Sequence, residues 1–230
     1  MTLEFNQIHR NDHLPGRIAA EIAREINDSK LGPGDRLPTE HVLAKTFGVS
    51  RSVIREAIRY LEAEGLVEIL PRSGPVVAML DWDRARQIYD IRLRLEAAAA
   101  ADCARLADDA ARARLTDALH RLEEAFKSTD PQVLYDATTQ FYEEIFTSAG
   151  HLIAWEIVHR LNGRISRLRA LTLASSDRHV SGQARMQRIA AAILARDPEA
   201  ADLAVRAHLT EAAQIARRLL LAEMTPEKTL

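Results

Sequence analysis

A chain of 230 residues with 47% apolar and 28% charged residues is long enough to bury a core, as one large or two small domains. Nine Gly, eight Pro and 5% aromatic residues argue against a turn-rich β-sandwich or a collagen-like chain, and the single cysteine, Cys103, excludes an internal disulfide and fits a reducing, cytoplasmic compartment. The net charge of −2 carries no general attraction for a polyanion, so any nucleic-acid case must rest on local charge. Apolar segments are interrupted by Arg or Asp every few positions, and the opening Met-Thr-Leu-Glu-Phe has no charged leader before an apolar run, so neither a membrane span nor a signal peptide is expected.

Composition divides the chain near residue 80, giving expected domains at 1–80 and 81–230. In the first, Ile18, Ala19, Ile22 and Ile26 recur at three- and four-residue spacing and predict a helix over 15–28, broken by Leu31-Gly32-Pro33-Gly34-Asp35. Thr39 is the expected N-cap of a short helix with Val42, Leu43 and Ala44, which Gly48 ends in the left-handed conformation. Ser50 caps the next helix, 51–64, with Ile54, Ala57, Ile58 and Leu61 on one face, Arg51, Arg55 and Arg59 on another, and Gly65 at its end. Leu66–Leu70, the turn Pro71-Arg72-Ser73-Gly74-Pro75 and Val76–Met79 then predict a β-hairpin.

Beyond Asp81 the periodicity predicts six helices, at about 82–106, 110–128, 131–148, 151–174, 180–196 and 198–223, with Asp, Ser, Gly and Pro at the joints. The run Ala97–Ala101 marks a close helix contact, since small side chains let backbones approach. The expected fold is therefore mainly α: an N-terminal winged helix-turn-helix and a C-terminal antiparallel helical bundle.

Residues 43–58 carry the strongest chemical signal: a helix, a tight glycine turn, and a capped second helix with basic residues at its start. Helix-turn-helix proteins place the first turn of such a helix in the major groove. From Lys45 to Arg59 there are four basic residues (Lys45, Arg51, Arg55, Arg59) and one acid (Glu56), 4 − 1 = +3, where phosphates would lie. Arg51 and Arg55 stand one turn apart and can grip guanine or phosphate, and Ser50 and Ser52 add hydroxyls. An amphipathic helix has a charged face in any case, but that alone leaves the turn, the cap and the hairpin unexplained.

Leu37-Pro38-Thr39-Glu40, Leu43-Ala44, Gly48-Val49-Ser50-Arg51, Arg55-Glu56-Ala57 and Leu61-Glu62-Ala63-Glu64-Gly65-Leu66-Val67 closely resemble the winged-helix domain of GntR-type bacterial transcriptional regulators, over residues 12–79. The resemblance implies recognition-helix roles for Ser50, Arg51, Ser52, Val53 and Arg55, and wing contacts from Arg72, Ser73 and Gly74. After Leu-Pro-x-Glu the family usually has Arg, where this chain has His41, a weaker DNA contact when neutral.

The second domain resembles the FadR-type (FCD) effector domain, through Ile91-Arg92 with Leu95-Glu96, Phe141 with Ala149-Gly150, Ile189 with Ala192-Ile193, Asp197 with Ala200-Ala201, and His208-Leu209. Six helices place it with the shorter, VanR-like members. Many relatives hold a divalent metal there through one Asp and three His. The corresponding positions here are Thr138, Tyr142, Met186 and His208, so three of the four ligands are missing and no metal is expected. A site using His151, His159 or His179 is the weaker alternative.

Without a metal, an anionic effector needs another counter-charge. Arg92 is the candidate, with Thr138, Tyr142, Met186 and His208 lining the same cavity and Arg164, Arg167 and Arg169 clustered on the fourth bundle helix. Arg92 serves equally well in an ion pair with Glu96, one turn on. An acyl-CoA-like or uncharged effector is the alternative to a small organic acid. The resemblance implies a homodimeric repressor on a palindromic operator, released by its ligand. Two further readings compete: a helical-bundle enzyme, for which no catalytic motif is found, and a protein-binding winged helix, which Arg51 and Arg55 oppose.

Overall fold

The computed structural model describes residues 14–27, 30–71, 73–174 and 181–223, and it divides into two compact units, 1–78 and 79–230. In the first unit, α1 (Leu14–Asn27), α2 (Glu40–Phe47) and α3 (Arg51–Ala63) precede the antiparallel strands β1 (Val67–Leu70) and β2 (Gly74–Val77). The register pairs Val67 with Val77 and Leu70 with Gly74. Ile18, Ile22, Leu43, Ile54, Ile58, Leu61, Val67 and Val77 form the core, so the apolar spacing in sequence becomes one buried face per helix.

The α2–α3 turn follows local chemistry. Thr39 Oγ1 accepts from Val42 N, Ser50 Oγ from Val53 N, and Gly48 sits at φ 67°, ψ 34° with its N–H on Ala44 O. Ser50 therefore starts α3 at a fixed angle to α2. The Gly-Pro segment before α2 does more than break a helix: residues 34–37 add a third run of pairing to β2, through Gly34 N to Val77 O (2.9 Å), Val77 N to Asp35 O (2.8 Å) and Leu37 N to Pro75 O (3.0 Å). Pattern reading missed this because one short bridge has no period.

The second unit comprises α4 (Trp82–Leu106), α5 (Asp109–Ala125), α6 (Pro131–Ser148), α7 (Leu152–Arg164), α8 (Ser166–Ala174), α9 (Gly182–Leu194) and α10 (Pro198–Glu223). Among the described residues that makes seven helices and corrects the expected six: the predicted helix 151–174 is two. Gly163, a poor helix former, precedes Ile165, whose φ of −118° and ψ of 19° leave the helical region while its side chain stays buried. The placement among six-helix members loses the count it stood on.

α4 packs most extensively on α10, and Ala97, Ala99 and Ala100 are fully buried, which is the close contact their size allows. Phe141, Tyr142, Ile145 and Phe146 of α6 fill the centre with Met186, Ile189 and Ile193 of α9.

Candidate nucleic-acid interface and buried cavity

Burying Ile54, Ala57, Ile58 and Leu61 forces the opposite face of α3 outward, so Arg51, Ser52, Arg55 and Arg59 are exposed and Val53 is half-buried. His41 at the start of α2 and Ser50 on the turn before α3 are exposed, and Ser73 and Gly74 are half-buried at the hairpin end, where Ser73 Oγ accepts from Arg36 Nη2 at 3.3 Å. Gly74 has φ 75°, which a side chain would strain. Arg72 lies outside the described residues.

The arginines are not free. Arg55 donates from Nε to Glu40 Oε1 (3.1 Å) and from Nη2 to Glu40 Oε2 (2.9 Å). That hydrogen bonding holds the Glu40 carboxyl below its ordinary pKa. Arg51 Nη2 donates to His41 Nδ1 at 3.1 Å, and Ser50 and Ser52 hydroxyls lie 2.8 Å apart. Glu40 brings a second acid to the patch, 4 − 2 = +2. Sequence reasoning missed Glu40 because it lies 15 residues from Arg55.

In the helical unit, Arg92 and Glu96 are both buried, with Nε to Oε1 at 2.7 Å and side chains 3% and 0% exposed. Of the two roles open to Arg92 in sequence, the ion pair is formed. Burial opposes the Arg92 charge but Glu96 outweighs it, so its pKa stands above the ordinary value. Arg169 of α8 is buried as well, and burial together with repulsion from Arg92 pushes its pKa down. Its guanidinium lies 4.9 Å from the Tyr135 ring centroid and Nη1 donates to Thr139 Oγ1 at 3.4 Å, but Nη2 has no hydrogen-bond partner among the described residues. A guanidinium keeps its proton at any physiological pH.

These groups meet at a cavity of about 10 Å³ lined by Arg92, Thr138, Arg169, Thr172, His208 and Ala212. That is room for about one water. Arg92, Thr138 and His208 are brought together there. Tyr142 and Met186 are fully buried and are not among the residues that line it. The Tyr142 hydroxyl is held protonated by burial and by the Glu96 charge. Arg169 and Thr172 were not singled out as lining residues. The arginine cluster was visible in sequence, but which of its members turns inward depends on the α7–α8 break.

No group of three metal-ligating side chains occurs among the described residues. At the family's four metal positions only His208 carries a strong donor, beside a hydroxyl (Thr138), a phenol held protonated and a thioether, so the residues present do not fit a divalent cation. His151 pairs with Asp102 at 3.0 Å, His159 lies 5.3 Å from the Trp155 ring, and His179 is outside the described residues. A separate surface hollow of about 250 Å³ between α4 and α10 is walled by Trp82, Tyr89, Leu93, Leu209 and Arg217 among others.

Comparison with known proteins gives two family matches: bacterial regulatory proteins, gntR family, over residues 14–77, and FCD domain, over 87–211. The chain is similar to the HTH-type transcriptional repressor RspR of Escherichia coli K12, 26% identical over 223 residues and covering 95% of each chain. It is 30% identical over 192 residues to the uncharacterized HTH-type transcriptional regulator YdhC of Bacillus subtilis, covering 82% of this chain and 84% of that one. Its fold matches the solved structure of E. coli McbR/YncC with a TM-score of 0.70 at 21% identity, covering 92% of this chain and 99% of that one. It also matches a putative GntR regulator from Rhodococcus sp. RHA1 with a TM-score of 0.71 at 22% identity, covering 87% and 96%. No helix among the described residues is long and apolar enough to cross a membrane.

Proposed function

The chain belongs to the GntR family of bacterial regulators, with an FCD domain, and is a DNA-binding transcriptional regulator rather than an enzyme; from that premise we propose a homodimeric repressor that reads a palindromic operator and is released by a small organic anion. Two copies match two half-sites, each entered by the first turn of α3. Ser50, Arg51, Ser52, Val53 and Arg55 present themselves to base edges and phosphates, with Ser73, Gly74 and the neighbouring Arg72 on the flanking backbone. RspR, a repressor by name, supports the sign.

The effector reading rests on one observation: of two buried guanidiniums, Arg92 pairs with the buried Glu96 carboxylate, while Arg169 feels that charge without an ion pair of its own among the described residues. An uncompensated buried cation is costly, and a carboxylate guest supplies the missing charge. Arg169 then does the work that a metal does in relatives, and no metal cofactor is needed. A cavity of about 10 Å³ admits the charged head of a small acid only if the surrounding helices part. That requirement couples binding to a change of shape: a ligand favouring the parted form shifts the population of DNA-competent dimers.

The test is elemental analysis of the purified protein beside a thermal-shift screen of organic acids, amino acids, sugar acids and acyl-CoA esters. The reading expects a metal-free protein that one small acid stabilises and releases from DNA. Stoichiometric zinc or nickel, or stabilisation by acyl-CoA esters alone, would overturn it.

A further inference from the structure

Resting on the reading of α3 as the helix that enters the major groove, we propose that His41 is a positioning residue: it holds Arg51 for base readout rather than touching DNA itself, and only while its imidazole is neutral.

A guanidinium carries five N–H donors and no acceptor. In the contact between Arg51 Nη2 and His41 Nδ1, 3.1 Å long, the imidazole nitrogen must therefore accept, which places the ring proton on Nε2. A protonated imidazole has donors on both nitrogens, so protonation turns the contact into an encounter of two cations.

Glu40, the preceding residue, holds Arg55 through two bonds of 3.1 and 2.9 Å. This clamp takes Nε–H and one Nη2–H and leaves the end-on edge of the guanidinium for guanine O6 and N7. Consecutive residues at the start of α2 thus hold two arginines one turn apart on α3. The acceptors differ in kind: a carboxylate for Arg55, a neutral imidazole for Arg51. Without such an acceptor, the long arginine chain must be ordered when DNA binds, and specific binding weakens while phosphate attraction does not.

The charged groups that flank His41 are Glu40 before it and Lys45 four residues on along α2, and across from it on α3 Arg51, which it contacts, and Arg55, which Glu40 holds. Glu40 is committed to Arg55, and the others are cations, so a proton on His41 joins a cluster of its own sign. Acid then has two effects at once: Arg51 is released, and the DNA-facing patch gains a charge. Specific affinity falls relative to non-specific affinity, and the salt dependence steepens by about one released counterion.

The experiment uses the full chain. A library of duplexes with a randomised centre is enriched on the wild-type protein, and the enriched duplex is compared with a shuffled one by fluorescence anisotropy, across salt and between about pH 8 and about pH 5.5. For the wild type the specific-to-shuffled affinity ratio should fall by about tenfold on acidification, the size of one bidentate base contact. H41Q keeps an acceptor that does not titrate and should hold the neutral-pH ratio throughout. H41A should show a low ratio at every pH with its affinity for the shuffled duplex intact, which a folding defect would not leave untouched. A pH profile for H41Q as steep as the wild type's, or a wild-type ratio for H41A, overturns the proposal. R51A separates the two readings: if it leaves the ratio unchanged, the assignment of α3 fails; if it lowers the ratio while H41A does not, only the positioning role fails.

Discussion

Arg92 and Glu96, one turn apart on α4, form an ion pair from which water is almost wholly excluded, with Nε to Oε1 at 2.7 Å. Removing one partner of such a pair leaves an unanswered charge in the core. E96Q should therefore destabilise the helical unit by about 3–5 kcal/mol, because it leaves Arg92 and Arg169 facing each other with no anion. Replacing both partners, as in R92M with E96L, should cost far less. Urea unfolding followed by circular dichroism distinguishes them, and equal losses in the two variants would refute the account.

Arg169 makes the opposite prediction. Without a guest its charge costs more than its contacts to Tyr135 and Thr139 return, so R169M should raise the melting temperature of the effector-free protein by about 2–4 °C, roughly 1 kcal/mol at this chain length. The same variant should lose the thermal shift that an organic acid gives the wild type. A large fall in melting temperature would make Arg169 a structural residue instead.

Cys103 lies in the alanine-rich stretch of α4, 1% exposed, and burial, with a smaller push from the Glu144 charge, raises its thiol to about 11. Only the thiolate reacts with disulfide reagents. At about pH 8 the native protein should leave such a reagent untouched, while the urea-unfolded chain titrates one thiol. The sign of the linkage follows: above the ordinary value of 9.0 the unfolded chain loses a proton that the native state keeps, up to about 11. Stability from the neutral thiol is complete below that window and declines as pH rises through it, which denaturant midpoints between about pH 8 and about pH 11 would report.

Gly48 sits at φ 67° with open space where a Cβ would stand. The penalty for G48A is thus conformational rather than steric, about 1–2 kcal/mol. G48N, which tolerates the left-handed region better, should lose less. Both losses should appear in the melting of the first unit and in DNA affinity, since this turn sets the angle of α3. Equal losses would mean that the turn does not depend on left-handed geometry.

Whatever is settled within a few residues was legible in the chain alone. Thr39, Gly48 and Ser50 cap and turn α2 and α3, and the spacing of Ile54, Ala57, Ile58 and Leu61 fixes which face of α3 is buried, leaving Arg51 and Arg55 on the other. The same periodicity marked the helices of the bundle. The tertiary structure decided what depends on residues far apart in the chain. Glu40 reaches Arg55 across 15 residues, and the short pairing of 34–37 with β2 has no pattern to betray it. The break at Ile165 could not be read because the apolar period continues through it. That break carries Arg169 inward to Arg92, 77 positions away in sequence (169 − 92), and only packing sets such a meeting. Local capping and periodicity are properties of a segment, whereas a buried charge balance belongs to the assembled core.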